Sequence, residues 1–260
     1  MGTVTPNRLR WGALAWLLTL QFFVVETIAQ LRFEGSYSRV HDVISDLGTA
    51  DSAARTLMNA SFVVQAALIV GGALLLRPVL LRGAGPAVPL LLGAAGVGVL
   101  LVGLFPSDGQ AGLHATGAVI YLLGGGLGLI TLAYAVRPRS EALGTTLALL
   151  GLVGTAATVF FVTGVVQYLG EGGTERAAAY VLPLGLALAG PTLWRLAGRA
   201  DGQRPDRRAE RELVRAQRAE RERERDEALE TAARRNTRPG VPDADDPDED
   251  PWATPVRRGD

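Results

Sequence analysis

Residues 87–139 read AVPLLLGAAGVGVLLVGLFPSDGQAGLHATGAVIYLLGGGLGLITLAYAVRPR. Two long apolar runs are divided by the polar FPSDGQ, and Asp108 is the one Asp, Glu, Lys or Arg before Arg137. A helix needs roughly 20 mostly apolar residues to cross about 30 Å of hydrocarbon, and each run is about that long. The pair predicts a helical hairpin inside a bilayer, and the chain repeats the pattern on both sides. Apolar stretches at about 11–31, 56–76, 87–105, 113–136, 142–168 and 177–197 predict six spans. The expected fold class is all-α: an integral membrane six-helix bundle over residues 1–200 with a charged cytoplasmic C-terminal tail. The first stretch reads as a retained span, because it holds Trp11, Trp16 and Gln21 and lacks a convincing small-residue cleavage site before Gln30.

Composition supports segregation rather than one soluble core. Of the 260 residues, 48% are hydrophobic and 20% charged, and the charge gathers after residue 198. The net charge of zero averages two unlike parts, so it says little about partners. No cysteine is present, which excludes disulfides, thiolate metal sites and cysteine nucleophiles. All 26 basic residues are arginine, which with abundant Ala, Gly, Val and Leu suggests a GC-rich, actinobacterial-like genome.

Arginine resists outward transfer during insertion, so arginine-rich short loops stay on the cytoplasmic side. Arg8, Arg10, Arg77, Arg82, Arg137, Arg139, Arg195 and Arg199 flank one set of span ends, opposed only by Glu141. The other ends carry Arg32, Arg39, Arg55 and Arg176 against Glu34, Asp42, Asp46, Asp51, Asp108, Glu171 and Glu175. This predicts an inner (plasma) membrane protein with both termini cytoplasmic. Glycines crowd the third to fifth spans, among them Gly98, Gly103, Gly124 to Gly126, Gly151 and Gly154. They suit either close helix packing or a glycine-lined pathway. Glu26 is the carboxylate that falls inside a span, and no span holds the run of ionisable groups usual for a proton relay or ion path.

The tail divides in two. RRAERELVRAQRAERERERDEALETAARR, residues 207–235, carries opposite charges at helical spacing, such as Arg218 with Glu222 and Arg223 with Glu227. It predicts a charged helix over residues 201–236, capped by Asp206. With Leu213, Val214 and Leu229 as its few apolar residues, it lacks a coiled-coil seam. A solvated helix, adsorption to anionic lipid, or docking to another protein all fit; interleaved acids and missing aromatics argue against nucleic acid. Residues 237–260 are acidic and proline-rich, and are expected to be disordered.

The first outer loop, SYSRVHDVISDLGTADSAARTLMN at residues 36–59, is long for a compact bundle and contains enough apolar side chains to pack. The second, FPSDGQAGLH, brings Asp108 and His114 to the same face, and Asn59 shares a helix face with Arg55. Three readings fit this cluster. It is structural, with Ser45, Asp46, Asp51 and Ser52 capping helices and Arg55 paired to an acid. Or Asp46, Arg55, Asn59, Asp108 and His114 hold the polar end of a lipid or small amphiphile whose tail lies between helices. Or His41, Asp46, Asp108 and His114 ligate zinc for hydrolysis, although no HxxxH or HExxH spacing occurs. The working expectation is a non-enzymatic protein without cofactor that binds membrane lipid at the outer leaflet. The rivals are a metal-dependent lipid hydrolase, with zinc as its cofactor, and an assembly factor acting through the tail.

YSRVHDVISDLGTADSAARTLMNASF, residues 37–62, and LVGLFPSDGQAGLHATGA, residues 101–118, resemble the bacterial membrane family called domain of unknown function 998. The resemblance rests on Tyr37, Ser38, His41, Ile44, Ser45, Asp46, Leu47 and Gly48, then Met58, Asn59 and Phe62, then Leu104, Phe105, Pro106, Asp108 and His114. It spans roughly residues 10–195, misses the tail, and implies six spans with a site under the first outer loop. The Ile-Ser-Asp-x-Gly element is also similar to one in eukaryotic DRAM and Sfk-type six-span proteins, which implies lipid handling rather than ion transport.

Overall fold

The computed structural model describes residues 6–80, 86–202 and 207–236. Its helices are α1 (Pro6–Leu18), α2 (Gln21–Gln30), α3 (Arg55–Leu80), α4 (Ala87–Leu104), α5 (Ala111–Val136), α6 (Glu141–Thr163), α7 (Glu171–Ala179), α8 (Val181–Gly202) and α9 (Arg207–Asn236). A short 3-10 helix, Ile44–Gly48, lies in the first loop. Six stretches are long and apolar enough to cross a membrane: Asn7–Gln30, Arg55–Leu80, Ala87–Leu104, Ala111–Val136, Glu141–Thr163 and Glu171–Gly198. The chain is an all-α, multi-pass membrane protein.

Consecutive spans pack as neighbours, α3 on α4, α4 on α5 and α5 on α6, while α1 closes the bundle against α3 and α8. Lipid offers no hydrophobic drive for association, so contact depends on close backbone approach. A Cβ added at Gly117 would stand 2.7 Å from the Gly98 carbonyl oxygen across the α4–α5 seam. One at Gly151 would stand 2.7 Å from the Gly126 carbonyl oxygen across α5–α6. The glycines at these crossings are packing surfaces, one of the two readings open from sequence.

Span boundaries differ from expectation in instructive ways. The fifth ends at Thr163 rather than near residue 168, because Gly164 turns left-handed (φ 74°) and its N–H returns to Phe160 and Phe161. The first is broken at Thr19 and Leu20, where the Thr19 hydroxyl is placed to donate to Trp16 O at 2.6 Å and Pro183 O at 3.1 Å. The sixth begins at Glu171, earlier than expected, and breaks at Tyr180. Pro183 explains that break. It has no N–H for the Ala179 carbonyl, and its ring crowds that oxygen. Tyr121 supplies the missing donor at 3.1 Å. At the opposite end of the bundle, Pro78 likewise deprives Leu74, whose carbonyl takes Arg8 Nη2 at 2.8 Å.

The helix α9 belongs to a second unit. Its described side chains are exposed, and an Arg234–Glu230 pair one turn apart closes to 3.9 Å. Such exposed pairs contribute little. The Asp206 cap and the expected disorder of residues 237–260 lie outside the described residues.

Candidate functional site

The first loop is a folded module rather than a strand of coil. Its neck is pinched by an antiparallel bridge between Phe33 and Ser52, with Glu34 N–H on Asp51 O at 2.8 Å and Ala53 N–H on Arg32 O at 3.1 Å. Ile44 and Leu47 turn inward and are buried. The third loop meets it from α7, where Gly173 N–H donates to Val40 O at 3.1 Å.

Beneath the loop lies a buried ionic network that joins the first and last spans. Glu26 of α2 and Arg176 of α7 are 1% and 5% exposed. Arg176 Nε donates to Glu26 Oε1 at 3.0 Å. Its Nη1 faces the carbonyls of Arg39 and Asp42, each at 2.8 Å, and Gly172 at 3.0 Å, while Nη2 reaches the Tyr37 hydroxyl at 2.5 Å. Tyr37 in turn donates to Val43 O at 2.9 Å. Burial, partly offset by the Arg176 charge, pushes the Tyr37 hydroxyl up to about 12, so it stays protonated as a donor. Tyr180 donates to the Glu26 carboxylate at 2.6 Å, with Arg39 beside it. Glu175 accepts the Ile44 N–H and so caps the 3-10 helix. A guanidinium this fully engaged fixes the loop; it is not free for chemistry.

The sequence reading misses this network, because a last span that begins at residue 177 leaves Glu175 and Arg176 in a loop. The correction is physical: α7 is shielded by the loop and α6, so its polar residues Thr174, Glu175 and Arg176 enter the protein rather than lipid. A usable signal was present in Glu26, since a carboxylate inside a span demands a cationic or hydrogen-bonding partner.

Of the five residues expected to bind an amphiphile, four divide between two spaces. Arg55, Asn59 and Asp108 line one open cleft of about 350 Å³, with Thr56, Ala60, Val63 and Gly103. Asn59 Nδ2 donates to Gly48 O at 2.9 Å, and Asp108 accepts Ala50 N–H at 2.9 Å, so both pin the loop to the bundle. Arg55 is exposed, and its guanidinium has neither hydrogen-bonding nor acidic partner among the described residues, contrary to the pairing the structural reading expects. His114 is separate. It is buried, its Nδ1 pairs with Phe105 O at 2.9 Å, and it lines an interior cavity instead of the cleft. Asp46 sits on the 3-10 helix and lines neither space. Partial burial raises its pKa, a Val43 backbone hydrogen bond opposes that, and Asp42, Glu171 and Asp51 add to it.

The zinc reading requires His41, Asp46, Asp108 and His114 to converge, and they do not. Among the described residues no three His, Asp or Glu side chains are grouped to hold one ion. His41 is exposed on the loop while His114 is buried in α5.

A family model described as protein of unknown function (DUF998) matches residues 17–191, more than half of the chain. The chain belongs to the DUF998 family. The matched region runs from within α1 into α8 and so contains the loop, the ionic network and the cleft of this DUF998 protein. Comparison with curated proteins and with solved structures finds no match. The likeness to DRAM and Sfk-type proteins therefore rests on the Ile44–Gly48 element alone.

Proposed function

We propose that this DUF998 protein is a non-enzymatic binding protein for an amphiphile with an anionic head, seated in the cleft between α3, α4 and the first two loops. One observation carries the reading: the Arg55 cation stands without an acidic partner at a cleft of about 350 Å³. Binding pockets for small molecules begin at about 300 Å³ and combine apolar walls with a few polar groups. Here Thr56 and the second Asn59 N–H supplement the arginine, and Ala60, Val63 and Gly103 supply the apolar side. Exposed Leu57, Val64 and Leu104 continue that side along α3 and α4. A guanidinium matches phosphate oxygens in a planar fork. The arginine asymmetry of the loops supports an outer-leaflet position for this end of the bundle, with both termini cytoplasmic.

The test is native mass spectrometry of detergent-purified protein titrated with phosphatidylglycerol and phosphatidylcholine. Charge-assisted contacts contribute about 1.5–3 kcal/mol when sheltered and less at an open rim. Arg55→Ala is therefore expected to weaken phosphatidylglycerol binding by about fivefold or more, at roughly 1.4 kcal/mol per tenfold. Equal retention of both lipids, unchanged by Arg55→Ala, refutes the reading.

A further inference from the structure

The interior cavity that His114 lines is a different space from the cleft, and its walls do not depend on the cleft's occupant. It has a volume of about 30 Å³ and lies beneath the 3-10 helix, among α2, α3, α4, α5 and α7. Its polar wall consists of Gln65, His114, Tyr121, Ser45 and Glu175. Gln65 is fully buried, and its Nε2 is the one buried side-chain nitrogen or oxygen without a hydrogen-bond partner among the described residues. An orphaned buried donor is unusual and asks for an explanation.

The orientation of that amide is dictated by its neighbours. Gln21 Nε2 donates to the Ser61 carbonyl at 3.3 Å, and Gln21 Oε1 accepts the Ser61 hydroxyl at 3.0 Å. With Gln21 fixed in this way, its Nε2 also faces Gln65 at 3.2 Å, and only the Gln65 carbonyl oxygen can stand there. Gln65 Nε2 is therefore turned away from Gln21 toward the cavity. Tyr121 stands beside it, its proton given to Ala179 O and its oxygen within reach of one Gln65 N–H, which leaves the other N–H for the cavity. Across the space, His114 Nδ1 faces a carbonyl, which only accepts, so Nδ1 carries the hydrogen and the acceptor of the uncharged ring is Nε2. Glu175 brings a second acceptor.

These walls select an occupant. A cation would meet the Gln65 N–H, and an anion would meet the Glu175 carboxyl. A space of about 30 Å³ suits one or two waters. We propose that the cavity is a built water site, in which a long-lived water accepts from Gln65 Nε2 and donates to His114 Nε2 and the Glu175 carboxyl. Ser45 and Ile44 border the same space, so this water ties the loop to the spans.

Oxygen-17 magnetic relaxation dispersion of the purified protein detects such a water directly. The expected result is a long-lived water in the wild type that is absent in Gln65→Leu, together with a lower Tm for the variant. If the cavity is dry, the two proteins give identical relaxation profiles, which overturns the proposal. Should Gln65→Leu fail to fold, a wild-type structure resolving ordered solvent decides the matter. Density within hydrogen-bonding distance of Gln65 Nε2 supports the site, and an empty cavity overturns it.

Discussion

Replacing Arg176 with methionine removes the loop's anchor while keeping the volume and helix propensity of its stem. Two losses follow. Glu26, 1% exposed, keeps Tyr180 at 2.6 Å and the half-exposed Arg39 at 3.6 Å, but no buried cation. Leaving one partner of a buried pair uncompensated costs about 3–5 kcal/mol. The Arg39 and Asp42 carbonyls also lose their donor, at about 1 kcal/mol each. The terms overlap, so Arg176→Met is expected to destabilise by about 4–6 kcal/mol, a large share of a typical domain's stability. Glu26→Gln combined with Arg176→Met removes the orphaned charge and should recover about half of that. Denaturant unfolding of the purified protein measures the totals, and amide exchange of residues 37–48 reports whether the loop opens first. If the double variant is no more stable than Arg176→Met, Glu26 does not depend on the arginine and the reasoning fails. A loss below about 1 kcal/mol for Arg176→Met refutes it equally.

Two further outcomes follow from the same geometry. Burial raises the pKa of Asp46, so the folded state disfavours its ionised form. The penalty is present above the folded pKa and is relieved as pH falls through it toward the unfolded value. Asp46→Asn should therefore be slightly more stable than wild type at neutral pH, with the difference vanishing in acid; a variant less stable at neutral pH contradicts this, and thermal unfolding across pH 3–8 reads it, a window set by an ordinary carboxylate near about 4. Gly98→Ala puts a methyl group against the Gly117 carbonyl oxygen at 2.6 Å and should cost about 1–3 kcal/mol. Gly93→Ala meets nothing within 4 Å on the same helix and should be neutral or mildly stabilising, so equal thermal shifts for the pair count against the packing account.

Much of the fold is legible because the spanning requirement is nearly one-dimensional: enough consecutive apolar residues specify a crossing helix without tertiary knowledge. Legibility fails where tertiary contacts replace lipid or water. Val165, Val166, Tyr168 and Leu169 extend the apolar run of the fifth span, yet the Gly164 turn ends the helix before them. Glu171 to Arg176 look like loop residues, yet they form a helix under the first loop's cover. The site shows the same division. Arg55 and Asn59 are one turn apart on α3, which sequence spacing reveals, and Asp108 joins them because the second loop lies beside the first. His114 lies in the first turn of α5, a long helix whose rotation no local pattern discloses, and that rotation turns it inward, to a different space.

The Glu26–Arg176 contact joins residues 150 positions apart, and this separation sets an order of events during synthesis. The carboxylate leaves the ribosome with the first membrane segment, whereas its arginine arrives with the last. Until that segment inserts, residues 37–48 lack the guanidinium that gathers their carbonyls, and a nascent chain halted before Glu171 presents an uncompensated acid inside its leading helix. Insertion of the last membrane segment and docking of the extramembrane cap are therefore coupled, because the same arginine neutralises the leading helix and gathers the cap.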